Sequence, residues 1–205
     1  MFPILFEPNH AEAERLRLKV GSYPKAIVMN CALGGVDRKR PLFITRNPTC
    51  ISILEPNFEL LKNYGIAEHF QVIRKEEVEC CRYDTLWRAG AVPACDVLKI
   101  DVQGYEYEMF LGFGACLQGV LGIVAEAHFY EHYRGQRLLH DIVRLASTFG
   151  LVLRRIDSNK LQGFNGDFIE IDAFFTIGRA AVKALDKIRD EKFSLMSEAW
   201  GLPRY

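Results

Sequence analysis

Short apolar runs alternate with helical stretches along this chain, and each run stops abruptly at polar residues. Residues 2–6, "KAIVMNCAL" (25–33), "CDVLKID" (95–101) and "GVLGIVAEAHF" (119–129) carry few charges. A strand with one wet face would alternate polar and apolar; near-continuous runs suit strands buried on both faces. Between them, Asn9 is a good N-cap for a helix over 10–20, with Ala13, Leu16 and Val20 on one face. Helices are also predicted over 58–65, over 105–113 and over 137–149, where Leu138, Ile142, Leu145 and Phe149 recur at helical steps. This alternation predicts an α/β fold: a mostly parallel sheet with helices on both faces. "LVLRRI" (151–156) and "FIEIDAFFTI" (168–177) are joined by a loop containing Gly163 and Gly166, not by a long helix. They should form an antiparallel pair at one edge. "RPLFITR" (40–46) reads as a short strand, residues 70–82 as another, and "DTLWRAG" as a short helix capped by Asp84, with Trp87 in the core. The domain reads as residues 1–178, followed by an amphipathic tail, 179–205, through Val182, Leu185 and Ile188.

Composition removes several classes of function. The chain has 205 residues, enough for one domain with a substantial core. Its 26 basic and 26 acidic residues balance, so no basic field would hold a nucleic-acid backbone. No run of apolar residues is long enough to span a membrane. Pro3 and Glu7 interrupt the first residues too soon for a secretory signal, so a cytoplasmic location is expected. Six cysteines, none in a C-x-x-C pair, then read as reduced thiols, and adjacent Cys80 and Cys81 as small strand residues.

In open α/β sheets, ligands sit beyond the carboxyl ends of the strands. Glu7, Asn30 to Leu33, Asp101 and Glu126 to His128 stand at or near such ends. A carboxylate at Glu7 suits the two hydroxyls of a ribose, and backbone groups at Cys31 and Ala32 suit an adenine edge. Asp101 either orients an acceptor hydroxyl, acts as a base, or simply partners Lys99 two residues earlier on the same strand face. His128 is either a general base, since histidine titrates near neutral pH, or a buried hydrogen-bonded side chain. His128 and His132 are four apart, a metal-holding spacing on a helix, but His128 ends a strand. No metal site is therefore expected there. Glu106 should serve the start of its helix, and Tyr130 and Tyr133 either line a cleft or pack.

Five stretches in order carry a resemblance: "FEPNH" (6–10), "CALG" (31–34), "ISILEPN" (51–57), "LKIDVQGYE" (98–106) and "EAHFYEHYRGQ" (126–136). Together they resemble the FkbM family of S-adenosylmethionine-dependent methyltransferases over roughly residues 4–178. The resemblance implies the class I methyltransferase (Rossmann-like) fold, a seven-stranded sheet in the order 3-2-1-4-5-7-6. It implies methyl transfer to oxygen, from S-adenosylmethionine to a hydroxyl of a small molecule or sugar. By that match Glu7 and Asn9 contact the cofactor, Glu7 on its ribose, while Asn30, Cys31, Ala32 and Leu33 lie beside adenine. Asp101 ends strand four near the methionine portion and the acceptor, and His128 stands near the acceptor as a second catalytic candidate.

One departure matters. Strand one and its glycine-rich turn should precede Phe2, and residues 1–205 contain neither. Gly34 and Gly35 follow the wrong strand to replace them. A non-catalytic module that kept the fold and lost the cofactor is therefore the alternative reading. Without strand one, strands two and four would face each other across a gap about 10 Å wide, two inter-strand spacings. Unpaired apolar edges are costly. The expectation is that Ile4 to Phe6 pairs with Leu98 to Ile100, or that both flank a strand donated by another chain in a homo-oligomer.

Overall fold

A computed structural model describes residues 3–23, 25–162 and 167–205. The order is β1 (Ile4–Phe6), α1 (His10–Val20), β2 (Ile27–Met29), β3 (Ala32–Leu33), β4 (Arg38–Thr45), α2 (Phe58–Asn63), β5 (Val72–Cys81) and α3 (Tyr83–Arg88). Then come β6 (Val97–Ile100), α4 (Glu106–Phe113), β7 (Gly122–His128), α5 (Leu139–Thr148), β8 (Leu151–Gln162), β9 (Phe168–Ile177), α6 (Arg179–Lys183) and α7 (Lys187–Ala199). The fold is mixed α/β with several sheets. The loop containing Gly163 and Gly166 lies outside the described residues.

The strands divide into three sheets, β1-β2, β3-β5-β4 and β6-β7-β9-β8, where one continuous sheet was expected. Nor is the pairing mostly parallel. β1-β2, β3-β5 and β6-β7 are parallel, while β4-β5, β7-β9 and β8-β9 are antiparallel and contain more of the paired residues. The outer half of β4 and most of β5 explain part of this. "RKRP" and "RKEE" are too polar to be covered by helices on both faces, and an antiparallel pair can leave one face wet. The β8-β9 pair forms as expected.

β7 is buried along its whole length, as its apolar run predicts. Around it, Phe110 and Phe113 of α4, Ile142 and Ala146 of α5, Phe175 of β9 and Phe193 of α7 are at most 1% exposed. Each large apolar side chain removed from water contributes roughly 1.5–3 kcal/mol. The last helix is thus part of the main core through Phe193 and Met196; of the tail's expected apolar face, Val182 and Leu185 pack against that core, while Ile188 is 67% exposed. Two further local expectations fail. Asp84 is not the cap of α3 but lies inside its first turn, where Arg82 grips it through two hydrogen bonds of 2.9 and 2.8 Å. Trp87 is 47% exposed, on the outer side of that short helix.

The expected closure of the sheet does not occur. Ile4 to Phe6 pairs with Ile27 to Met29, and Leu98 to Ile100 pairs with Ile123 to Ala125. Among the described residues no strand stands between β1 and β6. A cavity of about 2020 Å³ runs between them, lined by Ile4, Leu5 and Phe6 on one side and Val97, Leu98 and Lys99 on the other. Packing explains why β1 keeps its distance. Ile4, Phe6 and Met29 rest on the main core, and the Phe6 ring meets Tyr83, whose own ring stacks on Phe113 at 4.0 Å. Moving β1 across to β6 would cost those contacts.

Candidate active site

Five of the sequence-predicted residues, Glu7, Asn9, Ala32, Leu33 and Asp101, meet at the cavity. Glu7 follows β1, and its backbone N–H continues the ladder to the Met29 carbonyl at 3.0 Å. The Glu7 carboxylate accepts from the Asn9 backbone N–H at 2.8 Å. Asn9 in turn caps α1, accepting from the Glu12 N–H at 3.2 Å, as its residue type predicts. Partial burial raises the Glu7 pKa from its ordinary value, and the Asn9 N–H works against that shift. Both side chains line the cavity.

Asn30 is engaged elsewhere. Its amide donates to the Glu7 and Pro8 carbonyls at 2.9 and 3.1 Å, and its oxygen meets the His10 ring. It therefore locks the turn that carries Glu7. Cys31 is buried against Cys81, and burial pushes its thiol pKa up. Ala32 and Leu33 form β3, paired with Cys80 and Cys81 at the end of β5, and line the cavity. Gly34 is squeezed beside them. A Cβ there would stand 2.5 Å from the Tyr105 ring and 2.9 Å from the Cys80 sulfur, so the glycine serves close packing.

Asp101 opens the other wall, immediately after β6. Lys99 reaches it at 3.7 Å and reaches Asp172 at 3.1 Å, so the same-strand partnership exists. The turn after it, "VQGY", needs a left-handed backbone at Gln103 (φ 53°) and Gly104 (φ 93°). That conformation swings Gln103 into a central position. Its Nε2 donates to Asp101 at 3.0 Å and to Glu126 at 2.8 Å, and its Oε1 accepts from the Tyr133 hydroxyl at 3.0 Å. One amide thus holds two carboxylates of different strands and a buried tyrosine. Gln103 drew no attention in the sequence, because its role depends on φ and on partners far along the chain.

Beneath this turn Glu106 begins α4, as expected for a helix-start carboxylate, but it is only 1% exposed. It accepts from the Val102 and Gly104 N–H groups at 3.1 and 3.2 Å. Burial nonetheless raises its pKa from 4.5 to about 8. His128, the last residue of β7, is also 1% exposed and does not line the large cavity. Its Nε2 lies 3.9 Å from Glu126 and 3.7 Å from Glu170. His132, from the following loop, packs its ring against His128 and Phe70, and burial alone lowers its pKa to about 4. Tyr133 packs fully; Tyr130 meets Tyr64. Glu126, His132 and Glu170 reach the cavity beside Asp101 and Gln103. Glu170, on β9, went unnoticed in the sequence because only strand pairing brings it to His128.

The two walls therefore bring Glu7 and Asn9 opposite a polar cluster of Asp101, Gln103 and Glu126. Such a concave site, apolar along its strands and polar at their carboxyl ends, is where ligands bind in open α/β folds. The family model described as the methyltransferase FkbM domain matches residues 3–174. The chain belongs to the FkbM methyltransferase family. No helix among the described residues is long and apolar enough to cross a membrane. Neither a search of curated proteins nor one of solved structures returned a match.

Proposed function

We propose that the chain is an O-methyltransferase domain that takes its methyl group from S-adenosylmethionine and passes it to a hydroxyl of a small molecule or sugar. One observation carries this: the cavity between β1 and β6 has Glu7 at one wall and Asp101 with Glu126 at the other. Its volume of about 2020 Å³ exceeds the roughly 300–1,000 Å³ of an ordinary ligand pocket because the cleft also takes in the open place between β1 and β6. The strand orders support the reading too. Set side by side, β2-β1 and β6-β7-β9-β8 agree with the family order, with the middle place open.

In this reading Glu7 accepts the ribose hydroxyls, and Ala32 and Leu33 flank the adenine. The transferred methyl carries the sulfonium's electrophilicity, so the protein's work is alignment of the acceptor oxygen in line with it. Gln103 is the residue that holds Asp101 and Glu126 in place for that task. Asp101 orients the acceptor hydroxyl and takes part in removing its proton. His128 is too enclosed to meet the acceptor and acts through Glu126 and Glu170.

The second reading is a binding module that keeps the fold without catalysis. The glycine-rich turn that would embrace the methionine end has no counterpart in residues 1–205. Titration of the 205-residue chain with S-adenosylmethionine, followed by ligand-observed NMR and calorimetry, separates the two. The methyltransferase reading expects saturable binding, competed by S-adenosylhomocysteine. It should be weaker than micromolar, below about 8 kcal/mol, because the turn's contacts to the methionine end are lacking. No saturation at millimolar ligand would leave the binding-module reading standing alone. Micromolar affinity would refute the reasoning about the turn.

A further inference from the structure

We infer that His128, His132 and Glu170 form a site for one divalent transition-metal ion, with zinc the best match. One donor atom from each residue lies within 4.8 Å of the other two. Strand pairing and loop packing produce this convergence, not sequence spacing. His128 and Glu170 are opposite each other in the antiparallel β7-β9 ladder, so their side chains share a face. His132 is delivered by the loop after β7, whose backbone is pinned when the His132 carbonyl accepts from the Asn57 N–H at 2.8 Å. The Phe70 ring then backs the imidazole.

The donor set and spacing both suit an ion. Two imidazoles and one carboxylate are a recurrent ligand set for zinc with a fourth position left open. Around an ion bound at about 2.0–2.1 Å, tetrahedral ligand atoms stand about 3.3–3.4 Å apart. The His128–Glu170 separation of 3.7 Å is close to that and is longer than a good hydrogen bond. A contraction of up to about 1.4 Å in the wider separations completes the geometry within ordinary side-chain movement. The second observation is His132 itself. It is 1% exposed, and among the described residues its Nε2 is buried without a hydrogen-bond partner. A buried ring nitrogen left so is costly, and a metal ion is what such a nitrogen binds. Glu126, 3.9 Å from His128, offers a further carboxyl group close by.

His132 and Glu170 reach the large cavity, so the ion's open position would face it. There the ion would polarise an acceptor hydroxyl. That role rests on the methyl-transfer reading, whereas the site does not.

Cobalt(II), which takes zinc's place and is visible by its absorption, tests the site directly. The full chain, stripped of metal by chelation, is titrated with cobalt chloride and then challenged with zinc chloride. The expected result is one cobalt per chain, visible bands without a thiolate charge-transfer band, and displacement by zinc. His132→Gln and Glu170→Gln should each weaken binding about tenfold or more. Should His132→Gln fail to fold, Glu170→Gln at the cavity edge carries the test. No stoichiometric binding, a thiolate band pointing to the cysteines, or unchanged affinity in a folded Glu170→Gln chain would each overturn the inference. Because the probe is the metal alone, the outcome is independent of S-adenosylmethionine binding.

Discussion

Replacing Glu106 by Gln should change how stability depends on pH. The carboxyl is buried beneath the turn that carries Asp101 and Gln103, and burial raises its pKa from 4.5 to about 8 against the pull of three backbone N–H groups, its own and those of Val102 and Gly104. A group whose folded pKa is raised contributes stability fully present below its unfolded value. That stability is lost as pH climbs through the folded value. For Glu106 the window runs from about 4.5 to about 8. The span corresponds to about 5 kcal/mol as an upper bound, at about 1.4 kcal/mol per unit. Glutamine keeps the oxygen that accepts from Val102 and Gly104 but does not titrate. Its amide hydrogens lack an assured partner, which costs about 1–3 kcal/mol at every pH. The variant should therefore be less stable than the parent at about pH 5, and should equal or exceed it at about pH 8. Urea unfolding of both chains across that range measures it. Parallel pH profiles, with a difference constant to within about 1 kcal/mol, would show that Glu106 does not titrate in the window and refute the reasoning.

Two further perturbations follow from local geometry. Gly112→Ala would drive a Cβ into the Gly34 carbonyl oxygen, a backbone atom rather than a flexible side-chain end. A loss of about 1–3 kcal/mol is expected in chemical denaturation, while Gly119→Ala, with open space around it, should cost little. Glu7→Gln keeps the oxygen that accepts from the Asn9 N–H, so melting should hardly move. Adenosine or S-adenosylmethionine binding should weaken by about 1–3 kcal/mol, and unchanged affinity in titration would remove Glu7 from the site.

What the sequence by itself determined is local. Apolar runs placed β1, β6, β7 and β9, helical spacing placed α1 and α5, and Asn9 was recognisable as a cap because capping needs only the next three residues. The ordered stretches, above all "LKIDVQGYE", carried the family, and the family match over residues 3–174 agrees. Strand ends pointed to Glu7 and Asp101, since a ladder stops where its apolar run stops. Tertiary structure decided the rest, because it turns on partners distant in sequence. Whether β1-β2 stands apart from β6 depends on whether β1 gains more from Tyr83 and the core than from pairing with β6. Trp87 and Ile188 lie outside the core because each helix packs by one face, whose direction the neighbours set. The chemistry at the cavity has the same origin. Gln103 becomes the link between Asp101 and Glu126 only through its left-handed backbone. Glu170 meets His128 only because β9 runs antiparallel to β7 in that register, and a slip of one residue would turn its side chain to the opposite face of the sheet.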